Sequence, residues 1–370
     1  MSRPLTVVQM LPELEGGGVE RGTLEVAREL VRKGHRSIVI ARQGRLVEQL
    51  ISEGSEHVDW DVGRKHIWTL RYVPRLRRFL ADNQADILHL RSRLPAWIGY
   101  WAWKKLPSDA RPGLVTTVHG LYSVKRYSSI MTRGERVIAV SNTVRDYITD
   151  NYPSVDQGTI RVIPRGVDAA EFPFGWQPDG HWLANWYAQF PQMRDRQLIT
   201  LPGRLTRLKG HLDFVDLIAQ LRAQKKNVHG VIVGGEDPRR HAYAQEVRAK
   251  VHQLNLDADV TLTGARPDMR EVFAVSDLVL SLSGKPESFG RTVLEALSMG
   301  RPVAGYAHGG VGEILSQVYP SGCVSLNDSQ ALLDTVSQLL SDPPPVPDHH
   351  PYSLQAMLDN TLAVYQELTE

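Results

Sequence analysis

Glu287 and Glu295 stand with seven residues between them in the stretch LVLSLSGKPESFGRTVLEALSMGRPVAG, positions 278–305. The stretch reads as a short apolar strand, a tight loop, a helix opening near Gly290 and a second apolar strand. Glu287 falls in the loop and Glu295 in the helix, while Phe289, Gly290 and Arg291 fall where the helix presents its first amides. Unsatisfied N–H groups and the helix dipole favour an anion at such an end, and glycine lets a ligand approach the backbone closely. A phosphate on those amides would leave Glu295 to accept from a diol and Glu287 to face whatever the phosphate carries. A nucleotide-sugar has that layout. The alternative is that both glutamates are solvated, as surface carboxylates usually are.

Other residues carry chemistry in the same sense. Arg204 and Lys209 stand five apart in the glycine-bounded loop Gly203-Arg204-Leu205-Thr206-Arg207-Leu208-Lys209-Gly210. They can converge on one diphosphate, doing for a leaving phosphate what a divalent metal would otherwise do. Alone, the segment could equally be a basic loop. Gly16-Gly17-Gly18 lies between a first strand and a helix, where backbone can touch a phosphate or sugar, although the spacing is not G-x-G-x-x-G. His119 follows the apolar run 114–118, and Arg91 and Arg93 flank Ser92 after the run 86–90. Two arginines one residue apart point to opposite sides of an extended segment but can converge in a loop. Their planar forks suit phosphate or carboxylate. Pairing with a nearby carboxylate is the competing reading.

The segment Glu287-Ser288-Phe289-Gly290, with Glu295, Ala296, Gly300, Pro302 and Val303, resembles the signature of the retaining, family 4 glycosyltransferases of GT-B fold. Gly203-Arg204-x4-Lys209-Gly210 matches that family's second motif, and Gly309-Gly310-Val311-Gly312-Glu313 resembles its last loop-helix motif. The resemblance implies that Glu287 contacts the donor sugar, Glu295 binds the ribose, and the amides from Ser288 to Arg291 hold the diphosphate. Arg204 and Lys209 would neutralise the leaving group. His119 would contact the sugar's 6-hydroxyl and phosphate, Gly17 and Gly18 would close over the substrates, and Arg266 would lie where relatives bind the base, largely through backbone. The acceptor side, with Arg91 and Arg93, would lie in the first half. Two departures are visible: Gly120 stands where relatives often have Asp, and Arg165 where they usually have Asn.

These residues need elements to position them. Strand-like runs at 5–10, 37–41, 86–90, 114–118 and 137–140 alternate with helical stretches, and again at 198–202, 228–233, 260–263, 278–282 and 302–305. Alternation of this kind predicts parallel sheets with helices on both faces, with ligands at the carboxyl ends of strands. After Val140, Ser141 reads as a helix N-cap. The expected fold is α/β. The resemblance makes it GT-B, two Rossmann-like domains with parallel sheets facing a central cleft. The expected organisation is an acceptor-side domain over 1–170, a connection over 171–197 with a short helix, and a nucleotide-sugar domain over 198–345. A final segment, 346–370, would supply a helix crossing back to the first domain.

Composition agrees with a two-domain globular chain: 370 residues, 42% hydrophobic and 23% charged. No apolar run approaches membrane-spanning length and Met1-Ser2-Arg3-Pro4-Leu5 is no secretory signal, which predicts a cytoplasmic protein. One cysteine, Cys323, excludes an internal disulfide and reads as a core thiol. Net charge is +2, but residues 1–170 hold 26 Lys/Arg and 18 Asp/Glu, giving +8, while residues 171–370 hold 17 and 23, giving −6. The basic half predicts an anionic contact. Residues 66–80 and 95–106 combine arginines or lysines with aromatic residues. Such helices either lie on an anionic membrane or use their aromatics as core. No nucleic-acid motif appears. Of the two D-x-D triplets, Asp257–Asp259 precedes a strand, the wrong end for a metal site, and Asp59–Asp61 follows one.

The reading is a metal-independent, retaining hexosyl- or N-acetylhexosaminyltransferase that needs no cofactor. Its donor would be a nucleotide diphosphate sugar, UDP-sugar favoured. Its acceptor would be an anionic glycan or glycolipid of bacterial lipopolysaccharide or surface polysaccharide, met at the cytoplasmic face of the inner membrane. The rivals are a GT-B UDP-sugar isomerase and a non-catalytic nucleotide-sugar-binding subunit.

Overall fold

Seven short apolar runs in the first half form β1 (Thr6–Glu13), β2 (Arg36–Arg42), β3 (Glu56–Asp59), β4 (Ile87–Leu90), β5 (Gly113–Val118), β6 (Arg136–Ala139) and β7 (Ile160–Val162) in the computed structural model. The structure describes residues 3–236 and 241–370, so Met1 and Ser2 lie outside it. All pairings are parallel, in the order β3-β2-β1-β4-β5-β6-β7. Helices α1 (Gly18–Arg32), α2 (Val47–Ser52), α3 (Tyr72–Asp82), α4 (Arg93–Lys104) and α5 (Asn142–Asn151) fill the crossovers. A parallel sheet covered on both faces needs apolar side chains on both faces. This explains why Val7, Val8 and Met10 on β1 and Ile38, Val39 and Ile40 on β2 are all fully buried. Ser141 caps α5, accepting from the Val144 amide at 3.1 Å.

The second half repeats the plan with β8 (Gln197–Pro202), β9 (Val228–Val233), β10 (Val260–Gly264), β11 (Leu278–Ser281), β12 (Val303–Tyr306) and β13 (Cys323–Val324), parallel in the order β10-β9-β8-β11-β12-β13. Its helices are α6 (Gly180–Gln189), α7 (His211–Ala223), α8 (His241–Gln253), α9 (Met269–Val275), α10 (Arg291–Ser298), α11 (Gly309–Val318) and α12 (Ser329–Ser341), followed by α13 (Leu354–Gln366). Two compact units result, Met1–Arg165 with Gln355–Glu370, and Gly166–Leu354. Residues 171–197, expected as a connection, belong to the second unit. Asp179 caps α6 through the Trp182 amide at 2.8 Å, and Trp186, Phe190 and Met193 pack with Leu198, Val231 and Val272 as core. Residues 346–353 also stay in the second unit, where Val167 and Leu354 exchange backbone bonds with Tyr352 and Val167. Asp259 is no metal-ligand candidate by its contacts: it forms ion pairs with Arg196 and Arg222. Cys323 is partly buried against the core. Among the described residues no helix is long and apolar enough to cross a membrane.

From Gln355 onward the chain is part of the first unit. Glu367 accepts from Arg136 Nε at 2.6 Å and Arg161 Nη2 at 2.7 Å. Deeper in, Tyr365 is fully buried and its hydroxyl lies 2.6 Å from His89 Nδ1, while His89 Nε2 lies 2.6 Å from Thr117 Oγ1. Burial holds the His89 pKa well below 6.5. A neutral His89 therefore donates from one ring nitrogen and accepts at the other. Burial pushes the Tyr365 hydroxyl up to about 12, so it remains a donor.

The hydroxyl of Tyr365 thus joins His89 to Arg91. Tyr365→Phe leaves buried nitrogen groups without that partner, and the expected loss of stability is about 1–3 kcal/mol. Urea unfolding checks it: the midpoint falls at an unchanged slope. A midpoint equal to that of the parent protein rules out the network as a stabilising element.

Candidate active site

In the second unit the strand order reverses between β8 and β11. Loops leaving such neighbours diverge to opposite faces and open a crevice at the carboxyl end of the sheet. The β8 loop carries Gly203 to Gly210, and the β11 loop carries Leu282 to Gly290. They are fastened to each other. The Gly284 amide donates to the Leu208 carbonyl at 2.9 Å. Gly210 has φ 71°, and a Cβ there would run into the carbonyl of Leu282. Only glycine meets both demands.

That fastening brings Lys209 Nζ to 2.7 Å from Glu287 Oε1, with both side chains mostly buried. Ser283 donates its hydroxyl to the same carboxylate oxygen, and His308 Nε2 lies 2.7 Å from the Ser283 carbonyl. The Glu287 carbonyl in turn accepts from the Gly310 amide at 2.8 Å. Glu287 is therefore held at side chain and backbone alike. Neither Ser283 nor His308 was singled out by motif spacing. The position of Ser283, directly after a strand, was the available signal.

Gly290, with φ 117°, opens α10, and its carbonyl accepts from the Val293 and Leu294 amides at 3.1 and 3.2 Å. Ser288 is half-buried, whereas Phe289 turns its ring into the core, 5.8 Å from the Tyr352 ring. Glu295 is buried on α10 and accepts from Arg291 Nε at 3.0 Å. Arg204 is exposed and has no hydrogen bond or ion pair among the described residues. Arg266 commits its side chain to Asp268, Nε to Oδ1 at 2.8 Å, and lies 5.3 Å over the Trp186 ring. Trp182 Nε1 holds Asp268 from the other side at 2.9 Å. Any contact of residue 266 with a base must then come from its backbone.

In the first unit the order reverses between β1 and β4. Gly17 caps α1 and Gly18 is its first residue. A Cβ at Gly17 would meet the Glu20 carboxylate, whereas Gly18 has open space. Arg91 corrects an expectation: it is 2% exposed, and its Nε donates to Gln9 Oε1 at 2.7 Å. Its guanidinium also bonds Tyr365, and burial lowers its pKa. Arg91 directly follows β4, where its amide donates to the Met10 carbonyl of β1 at 3.0 Å and its side chain turns inward to Gln9, away from any surface that could meet an acceptor. Arg93 is the first residue of α4, directly after Ser92 at the N-cap position. Its guanidinium sits 4.7 Å over the Tyr122 ring and 5.4 Å over Tyr127, and bonds Ser128 Oγ at 3.3 Å.

His119 is half-buried, and Arg165 Nη2 lies 2.5 Å from its Nδ1. Burial, then Arg165, Arg91 and His89, hold its pKa well below 6.5. Because guanidinium only donates, Nδ1 must accept, and the proton of the neutral ring is on Nε2. The departure from the usual Asn at position 165 thus fixes a tautomer.

Two family descriptions cover the chain: Glycosyltransferase Family 4 over residues 16–171 and Glycosyl transferases group 1 over residues 186–353. The crystal structure of a glycosyltransferase from Rickettsia africae superposes with TM-score 0.85 at 27% identity, over 100% of both chains. Anabaena Alr3699/HepE, solved in complex with UDP and glucose, gives TM-score 0.77 at 18% identity over 99% of this chain and 97% of that one, a likeness of fold. The putative glycosyltransferase YtcC of Bacillus subtilis is 21% identical over 68% of this chain, which spans only 62% of that protein. With both halves matched and two parallel Rossmann-like sheets in place, the chain belongs to the GT-B glycosyltransferases.

Proposed function

We propose that the chain transfers a sugar from a nucleotide diphosphate sugar, UDP-sugar foremost, to a glycan or glycolipid acceptor, with retention and without a metal. What carries the reading is the Lys209–Glu287 pair, held at 2.7 Å where the β8 and β11 loops join. A carboxylate pinned by Ser283, on a residue whose backbone carbonyl accepts from the Gly310 amide, is a fixed point for sugar hydroxyls. The ammonium beside it is neutralised while no donor is bound. A diphosphate competes for Lys209 and, with exposed Arg204, gains two cations against its developing charge. The α10 terminus at Gly290 adds backbone amides, and Glu295 accepts from the ribose. The bond from anomeric carbon to phosphate oxygen breaks as the acceptor oxygen bonds to that carbon on the same face. The departing phosphate oxygen takes the acceptor's proton. In the first unit, Arg165 keeps His119 as an Nε2–H donor available to a sugar hydroxyl or phosphate.

An anionic acceptor, such as a lipopolysaccharide or surface-polysaccharide precursor, suits the +8 of residues 1–170. With Arg91 buried, Arg93 remains the candidate contact. HepE's complexes with UDP make UDP-glucose the first donor to try.

The test is a thermal-shift screen against UDP, GDP and ADP sugars, in which a true donor at 100 times its dissociation constant stabilises by about 2.7 kcal/mol. No shift with any of them overturns the reading. Lys209→Ala is expected to cost about 2.7–4 kcal/mol in the barrier, two to three orders of magnitude in kcat. Turnover within a factor of two of the parent enzyme removes Lys209 from the mechanism. Turnover is also expected to survive EDTA, since Arg204, Lys209 and the α10 amides meet the diphosphate. Loss on chelation with recovery on manganese would assign the charge to a metal. Finally, Arg165→Gln should raise the His119 pKa toward 6.5, because one of its two largest depressing causes is gone while burial remains. Imidazole nitrogen shifts followed by NMR read this directly, and an unmoved titration denies Arg165 that role.

A further inference from the structure

Residues 64–78 hold six Lys/Arg and no Asp/Glu. Arg64, Lys65, Arg71, Arg75, Arg77 and Arg78 are all exposed, and none makes an ion pair with the described residues. The same segment displays three apolar residues of its first turn outward. Ile67 is 74% exposed, Trp68 69% and Leu70 47%. Water charges free energy for such a display, so an exposed apolar group of this size marks a contact.

The display is built, not frayed. His66 Nδ1 accepts from the Trp68 amide at 3.3 Å, and the buried Thr69 hydroxyl donates to the Arg64 carbonyl at 2.7 Å. That turn, Ile67–Arg71, runs directly into α3. On α3 the aromatic residues instead face the core: Tyr72 is buried and stacks on Trp60 at 5.4 Å. Beside the turn lies a concavity of about 490 Å³ lined by Arg71, Arg75 and Arg78 over Trp60 and Phe79, with Asp82 also at its wall. Arg75 stacks on Trp60 at 4.4 Å, which fixes its cation at the edge of that cavity.

We propose that residues 64–78 dock the protein on an anionic lipid bilayer, with Ile67, Trp68 and Leu70 entering the headgroup boundary and Arg71, Arg75 and Arg78 receiving lipid phosphates. Charge complementarity selects the anionic surface. The outward display of the apolar residues selects a deformable one, since a folded partner would need a matching groove for three side chains standing out from a single turn. Tryptophan prefers such a boundary, its ring buried and its N–H wet. The three arginines supply planar forks for phosphate oxygens. This inference goes beyond the proposed donor chemistry and does not rest on it.

The test is co-sedimentation of the full chain with large vesicles of phosphatidylcholine, alone or mixed with phosphatidylglycerol. Binding is expected to the mixed vesicles only, weakening as salt rises. The double variant I67S/W68S should lose about tenfold or more in partitioning, and R75Q/R78Q about fivefold per cation. All these positions are exposed, so the variants keep the parent's unfolding midpoint. Their thermal shift with UDP also stays at the parent's value, which separates failure of this proposal from failure of the donor reading. Sedimentation indifferent to I67S/W68S overturns insertion. Equal sedimentation with both vesicle types, or none with either, overturns the proposal and turns the surface over to a protein partner.

Discussion

Everything about the second unit's site depends on a reversal of strand order. Because β8 and β11 are hydrogen-bonded neighbours whose crossovers leave in opposite directions, their loops must part at the carboxyl edge. The Leu208–Gly284 bond and the close approach of Gly210 to Leu282 then fasten the two loops to each other at their base. Lys209 and Glu287, 78 residues apart, meet above that base. The pair is half-buried, where opposite charges attract more strongly than in bulk water.

The first unit solves a harder electrostatic problem. Arg91 is a cation in the interior, and burial alone would make that untenable. Its charge is spread through Gln9 to the Thr23 carbonyl on one side and through Tyr365 on the other, with Glu25 acting on it from a distance. Tyr365 comes from the last helix of the chain. The unit's interior is therefore completed only when residues 355–370 return to it, as the Glu367 bonds to Arg136 and Arg161 also show. A polar network of this kind stabilises when every member is satisfied and costs heavily when one is lost.

The same local field reaches His119. Arg165 and Arg91 disfavour a second positive charge on its ring, and Arg165 occupies Nδ1 directly. A residue that departs from the family pattern has become the one that sets the histidine's hydrogen-bonding role. Positive charge in this unit thus divides into two kinds. Arg91 and Arg165 work inside, orienting neutral partners, while the cations of residues 64–78 are exposed and make no ion pair with the described residues.

How much of this was legible differs from residue to residue. Alternating apolar runs and helical periods determined two parallel α/β units, because a strand buried on both faces can carry few polar residues. Glycine positions determined where backbone must turn or approach closely, so the Gly203–Gly210 and Glu287–Glu295 segments stood out as site-forming. Contacts between distant segments were not in the local pattern. The period of a sequence says which face a residue is on but not what comes to lie against it. Arg91 looked like a surface arginine after a strand, yet β1 and the final helix cover it. Residues 171–197 looked irregular, yet Trp186 and Phe190 found a core. Ser283 and His308 carried no motif and acquired roles only from their neighbours. Ile67 and Trp68 read equally well as core until the fold left them outside. Sequence determined the elements and the candidate chemistry, because both are set by residue type and spacing. Tertiary structure decided which charges are paired, which are buried and which remain exposed, because those depend on what the rest of the chain brings within a few ångströms.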